Sequence, residues 1–169
     1  MNSLEFLNKY CSGVSELNRK VLVRHSNLVL KESLKIADRH PELNVDITKL
    51  INSAILHDIG VCGLTKQMPY IYHGVMGKKI LLKSSFKNIA SVCERHIGSG
   101  ITKEEAIKLG LPRKDMLPKT IEEKIVCYAD KFYSKSKSGK HTIHEIRNEF
   151  SNYGQESLLR FNKLHDLLS

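Results

Sequence analysis

Tryptophan is absent, and aromatic residues make up only 7% of the 169 residues. That leaves no stacking platform for single-stranded nucleic acid. No apolar run approaches the roughly 20 residues that a membrane-crossing helix needs. The opening string, MNSLEFLNKYCSG, has no basic stretch followed by an apolar one, so no secretory signal is expected. The four cysteines, Cys11, Cys62, Cys93 and Cys127, lie at least 31 residues apart, which excludes a C-x-x-C redox or zinc signature. They read as free thiols in a reducing cytoplasm, mostly filling the core.

What is present suits one soluble globular domain, with 41% hydrophobic and 27% charged residues. A domain of this size buries roughly 70% of its extended-chain surface, enough for a core of its own. Lys and Arg outnumber Asp and Glu by 27 to 18, a net charge of +9. Such a balance points to an anionic partner (a nucleotide, a nucleic acid or an acidic membrane surface) or simply to the composition of the source. Twenty of the cations are Lys, spread along the chain. A dedicated DNA binder would instead show Arg clusters or a recognisable motif.

Apolar residues recur at helical spacing almost throughout, and no period-2 strand stands out. Val14, Leu17, Val21, Leu28, Val29, Leu34 and Ile36 mark one long helix or two over about 14–39, stopped by Pro41. Asp46 is the expected N-cap of a helix that buries Leu50, Ile51, Ala54 and Ile55 and ends at Gly60. Residues 61–72 form a loop, and helices follow over about 73–83 and 87–97, the second broken by HIGSG. Thr102 with Glu105, and Thr120 with Glu123, make capping boxes for a short helix to Gly110 and one to about Tyr133. SKSKSGK at 134–140 is a polar loop, and the remainder holds two short helices. The fold class expected is all-α, a single helical bundle.

Four histidines and two aspartates sit where polar groups are costly. His57 and Asp58 end an apolar run, AILHD, and a buried pair of this kind needs a metal or counter-charge. His25 lies between Val21 and Val29 on an apolar stripe, and His96 follows Ile89, Val92 and Cys93 on another. His73 has Gly77 and Ile80 on its face, so that face can approach another backbone closely. Asp130 lies four residues after Val126, towards the core. Six such groups are hard to satisfy pairwise, and a shared metal site explains them together. Imidazole and carboxylate donors without thiolate suit Mn, Fe, Zn or a similar ion. Six donors exceed one tetrahedral zinc, and two ions about 3.5–4 Å apart, bridged by a carboxylate and a hydroxide, fit the count better.

The series His25, His57-Asp58 within HDIG, and Asp130 within YAD resembles the H…HD…D signature of HD-domain phosphohydrolases. With His73 in YHGVMG and His96 in ERHIG it is similar to their two-metal members. These include the symmetrical diadenosine-tetraphosphate hydrolases and the HDIG and cyclic-dinucleotide phosphodiesterases. HIGSGIT followed by LPKTIEEKIVCYADKF also resembles a group of HDIG proteins of archaea and bacteria with no assigned substrate. The resemblance implies one HD-type domain over 1–169, its core at about 19–135 and a C-terminal helical extension at about 141–168. It implies a first metal on His25, His57, Asp58 and Asp130, a bridging Asp58, and a second metal on His73 and His96. Relatives with HDIGK place a phosphate-binding Lys where this chain has Val61. Lys66 is the expected substitute. The GYP string of the cyclic-dinucleotide enzymes is absent.

The implied function is hydrolysis of a small phosphorylated metabolite, nucleotide or dinucleoside polyphosphate by a hydroxide bridging two divalent ions (Mn, Fe or similar). Asp58 and Lys66 are the expected catalytic residues, with Lys66, Arg95, Arg113 and Lys131 as cations for the phosphate. The expected setting is the cytoplasm, with no membrane or nucleic-acid partner. Two alternatives are a di-iron oxygenase of the same fold and a non-catalytic nucleotide sensor. A third is RNA binding through the Lys-rich segment 131–140.

Overall fold

In the computed structural model, which describes residues 1–136 and 139–169, helix formation begins at once. Asn2 and Glu5 form a capping box that opens α1 (Ser3–Tyr10), a helix absent from the sequence reading. Ser15 then accepts a hydrogen bond from the Asn18 amide and opens α2 (Glu16–Arg39), a single continuous helix that stops just before Pro41. Asp46 accepts from the Lys49 amide and starts α3 (Ile47–Leu56). After it come α4 (His73–Leu82) and the short α5 (Ser91–Arg95). The expected capping boxes open α6 (Lys103–Lys108) and α7 (Ile121–Asp130). A further box, Thr142 with Glu145, opens α8 (Ile143–Asn152), and α9 (Gln155–Leu168) follows. The class is all-α: among the described residues there is no strand, only isolated bridges such as Ile101 with Met116.

The core forms where α2, α3 and α7 meet, and α9 covers α7 from outside. Val29, Ile36, Leu50, Leu56, Ile125 and Val126 are fully buried there. α4 packs on a 3₁₀ turn, Ile59–Gly63, and on α5. Among the described residues no helix is long and apolar enough to cross a membrane.

Several expectations need correction. α3 ends at Leu56 rather than Gly60, because the chain tightens into the 59–63 turn, where Gly60 packs against the backbone of α4. The helix expected over 87–97 is a 3₁₀ turn, Lys87–Ile89, followed by α5, and the chain turns away where Gly98 and Gly100 adopt positive φ. Ile51, expected among the buried positions of α3, is only half-buried. The polar loop expected at 134–140 includes Lys137 and Ser138, which lie outside the described residues.

The cysteines divide. Cys11 and Cys62 form a disulfide, contrary to the free thiols expected. Packing of α1 on α3 and on the 59–63 turn brings their Cα atoms to 5.4 Å. Cysteine usage therefore gives no argument for a reducing compartment. Cys93 and Cys127 are free and buried, and burial pushes the Cys127 thiol up to about 12.

Candidate metal centre

The six singled-out side chains come from five places in the bundle. α2 supplies His25 from its inward face. α3 delivers His57 at its C-terminal cap, and Asp58 follows as the backbone leaves the helix at φ −103°. His73 opens α4, His96 caps α5, and Asp130 ends α7. Helix ends suit this task, because the last side chains lean past the final turn into a common space.

The donors form two groups that share Asp58, each able to hold a metal ion. In the first, Asp58 Oδ2 lies 3.3 Å from His25 Nε2 and 3.2 Å from His57 Nε2. Asp130 Oδ1 lies 2.9 Å and 3.5 Å from the same two nitrogens. In the second, Asp58 Oδ1 lies 3.3 Å from His73 Nε2 and 3.5 Å from His96 Nε2.

Three of the four imidazoles are fixed from behind. Nδ1 of His57, His73 and His96 faces the carbonyls of Ala54, Tyr70 and Val92 at 2.8, 2.8 and 3.2 Å. A carbonyl only accepts, so each Nδ1 carries a proton and each Nε2 points inwards, with a free lone pair on the neutral rings of His73 and His96. His73 Nε2 and His96 Nε2 stand 3.2 Å apart in this state. Two facing lone pairs repel unless a cation or an added proton lies between them. Asp58 makes the same demand. Its carboxylate is fully buried, and neither oxygen receives a well-directed hydrogen bond, although imidazole nitrogens and the Lys135 ammonium lie within 3.5 Å. A buried carboxylate ringed by imidazoles and paired only with an ammonium is chemically a cation site.

The electrostatics agree. Burial works against charge on His57, but Asp58 and Asp130 outweigh it and raise its pKa to about 9. Burial lowers His73, and it takes His96 down to about 4. Burial also opposes ionisation of Asp58, yet His57 and Lys135 hold its carboxyl well below the usual range. Lys131 and His25 do the same for Asp130.

The cluster opens into a cleft of about 910 Å³ lined by Tyr70, Ile97, Leu109, Lys135, Phe150 and Tyr153, among others. The expected cations divide. Lys131 lines the cleft and binds Asp130 Oδ2 at 2.5 Å and the His96 carbonyl at 3.1 Å. Arg95 is turned away and held by both oxygens of Glu123 at 2.8 and 2.9 Å. Lys66 and Arg113 are exposed and do not line the cleft. The 59–63 turn points the loop carrying Lys66 out of the site. Lys135 was missed: its Nζ lies 2.5 Å from Asp58 Oδ2 and over the Tyr70 ring, 5.8 Å from its centre. It sits in the polar string SKSKSGK, where no periodicity marks one lysine above the next.

The chain is 38% identical over 157 residues to a tRNA (cytidine(56)-2'-O)-methyltransferase of Picrophilus torridus, covering 92% of this chain and 43% of that protein. It is 36% identical over 168 residues to a protein of the same name in Thermoplasma volcanium, covering 98% of this chain and 45% of that one. An uncharacterized protein of Methanocaldococcus jannaschii is 48% identical over 99 residues, 58% of this chain and 55% of its own length. The chain thus spans about half the length of the curated relatives it matches. No solved structure matches it. The sequence profile of the HD domain matches residues 22–134, a span that contains all six donor residues. The chain therefore belongs to the HD domain family.

Proposed function

We propose that this chain is a metal-dependent phosphohydrolase acting on a small phosphorylated metabolite, nucleotide or dinucleoside polyphosphate. The observation that carries the reading is the buried Asp58 carboxylate, which is shared by two imidazole–carboxylate donor groups and receives no well-directed hydrogen bond at either oxygen. His25, His57, Asp58 and Asp130 would hold one divalent ion, and Asp58, His73 and His96 a second. Nitrogen and oxygen donors without thiolate favour Mn, Fe(II) or a similar ion. Such a pair supplies water of lowered pKa and offsets charge on phosphate oxygens.

The protein does the positioning. Backbone carbonyls behind His57, His73 and His96 keep their Nε2 atoms aimed inwards. Lys131 holds the outer oxygen of Asp130 and leaves the inner one for the site. The apolar wall of Ile97, Leu109 and Phe150 excludes water and receives the part of the substrate beyond its phosphate.

The relatives named as tRNA methyltransferases share this chain over less than half their own length. Methyl transfer to tRNA is the named property of those whole proteins, and an imidazole–carboxylate cluster does not by itself seat a methyl donor. The name and the charge of +9 together favour one second reading, a phosphate substrate that is part of an RNA.

The test is a panel of phosphate mono- and diesters, dinucleoside polyphosphates and tRNA, run with Mn, Fe(II), Co and Mg, with and without oxygen. Anaerobic turnover of a small ester, lost in Asp58→Ala, is the expected result. A hit confined to RNA selects the second reading. Iron-dependent oxygen uptake with every ester inert overturns hydrolysis.

A further inference from the structure

Four cations among the described residues line the cleft: Lys108, Lys131, Lys135 and Arg160. Two are committed to structure. Lys131 bonds Asp130 and the His96 carbonyl, and Arg160 bonds both oxygens of Glu105 at 2.7 and 2.8 Å. Lys108 is exposed on α6 and touches none of the six donor residues. Lys135 differs from all three. Its ion-pair partner is the carboxylate shared by both donor groups, with Nζ 2.5 Å from Asp58 Oδ2.

An ammonium and a divalent cation on that one oxygen would repel each other, so the two contacts compete. A metal ion held by Asp58 Oδ2 would therefore weaken the hold on the Lys135 ammonium and displace it. The side chain has a flexible four-carbon stem and rotates instead of leaving. Its stem stays in the cleft beside Tyr70, where the arriving anion is the phosphate of the substrate. Resting on the proposed hydrolase reading, we propose that Lys135 is the phosphate-binding cation of this site and a placeholder on Asp58 before metal loads. It takes the role expected of Lys66, from a different segment of the chain.

Two binding measurements test this without requiring turnover. Mn²⁺ titration of the metal-free protein at fixed pH reads the placeholder role. Lys135→Met should bind Mn²⁺ roughly tenfold more tightly than the parent, since a charge-assisted contact no longer competes. Lys135→Arg, which keeps the charge, should not. Inorganic phosphate binding to the Mn-loaded protein reads the second role: Lys135→Met should weaken it by about tenfold or more, and Lys135→Arg should retain most of it. Thermal melting of each variant separates these effects from loss of fold. Unchanged Mn²⁺ affinity in Lys135→Met overturns the placeholder role, and unchanged phosphate affinity overturns the binding role. If the parent turns over no ester yet binds phosphate through Lys135, the hydrolase reading fails and the Lys135 assignment stands.

Discussion

Replacing Gly60 with alanine puts the fold and the metal centre under the same strain. A Cβ at this position would stand 1.8 Å from the His73 carbonyl oxygen, 2.4 Å from the Gly77 nitrogen and 2.8 Å from the His73 carbonyl carbon. All three are backbone atoms of α4, so no side-chain rotation relieves the clash. The shortest approach has to open to about 3.0 Å, so α4 and the 59–63 turn must part by roughly 1.2 Å. His73 sits at the point of contact, and its Nε2 is 3.3 Å from Asp58 Oδ1. Imidazole–metal bonds are about 2.0–2.1 Å with a tolerance near 0.2 Å, so a shift of this size removes His73 as a ligand. Overpacking of this kind costs about 1–3 kcal/mol, and backbone against backbone lies at the upper end. At roughly 2–4 °C per kcal/mol for a chain of this length, melting should fall by about 6–12 °C. The assay is a thermal melt of the metal-free protein together with Mn stoichiometry by dialysis and elemental analysis. Gly60→Ala should lose the second ion and keep the first. Gly13→Ala is the control, since nothing lies within 4 Å of a Cβ built there. A Gly60→Ala protein with parental melting and full Mn content would refute the reasoning.

Other outcomes follow from the same coordinates. Reduction of Cys11–Cys62, which closes a loop of sequence separation 51, should cost about 4 kcal/mol in the chain-entropy account. The unreduced, denatured chain should titrate two thiols rather than four, and a count of four sinks the pairing. Between its unfolded pKa near 6.5 and its folded value of about 9, His57 holds a proton in the metal-free fold that the unfolded chain lacks. Its stabilising contribution is therefore full below pH 6.5 and lost as pH rises through 9. Asp58 and Asp130, held low, act in the opposite sense, their contribution present above their unfolded values and lost on acidification. Mn binding at pH 7.5 should then release about one proton, read by calorimetry in buffers of different ionisation enthalpy, and no release contradicts protonated His57. Lys66→Ala should leave KM and kcat unchanged because the side chain is outside the cleft, and a raised KM would return it to the site.

Features encoded locally were legible in the sequence. The capping boxes at Thr102 and Thr120 and the Asp46 cap each depend on residues three apart, and all three form. The convergence of His25, His57, Asp58, His73, His96 and Asp130 was readable for a different reason: six polar groups on apolar stripes have no other common satisfaction. What escaped depends on the path of the chain. The pairing of Cys11 with Cys62 arises from α1 docking on α3, which spacing does not reveal. Lys66 and Lys135 are both lysines in polar loops, and only the direction of the 59–63 turn and the exit from α7 sends one outwards and the other onto Asp58. Arg95 looked free because its partner, Glu123, is also the last member of a capping box and shows no pairing signal of its own.

The wall of the cleft has a divided origin. Its floor comes from α2, α4 and α7, within the span that matches the HD domain, whereas Ile146, Glu149, Phe150, Tyr153, Ser157 and Arg160 come from α8 and α9, beyond residue 134. The two parts do different work. A change at these cleft-facing tail positions alters what fits above the donors, none of which lies in the tail, whereas a change among the donors alters the centre itself. Substitutions at Glu149, Tyr153 and Arg160 should therefore change what the cleft accepts while metal content stays at the parental level. Swapping residues 141–169 between relatives is accordingly the direct way to move a preference from one member of the family to another.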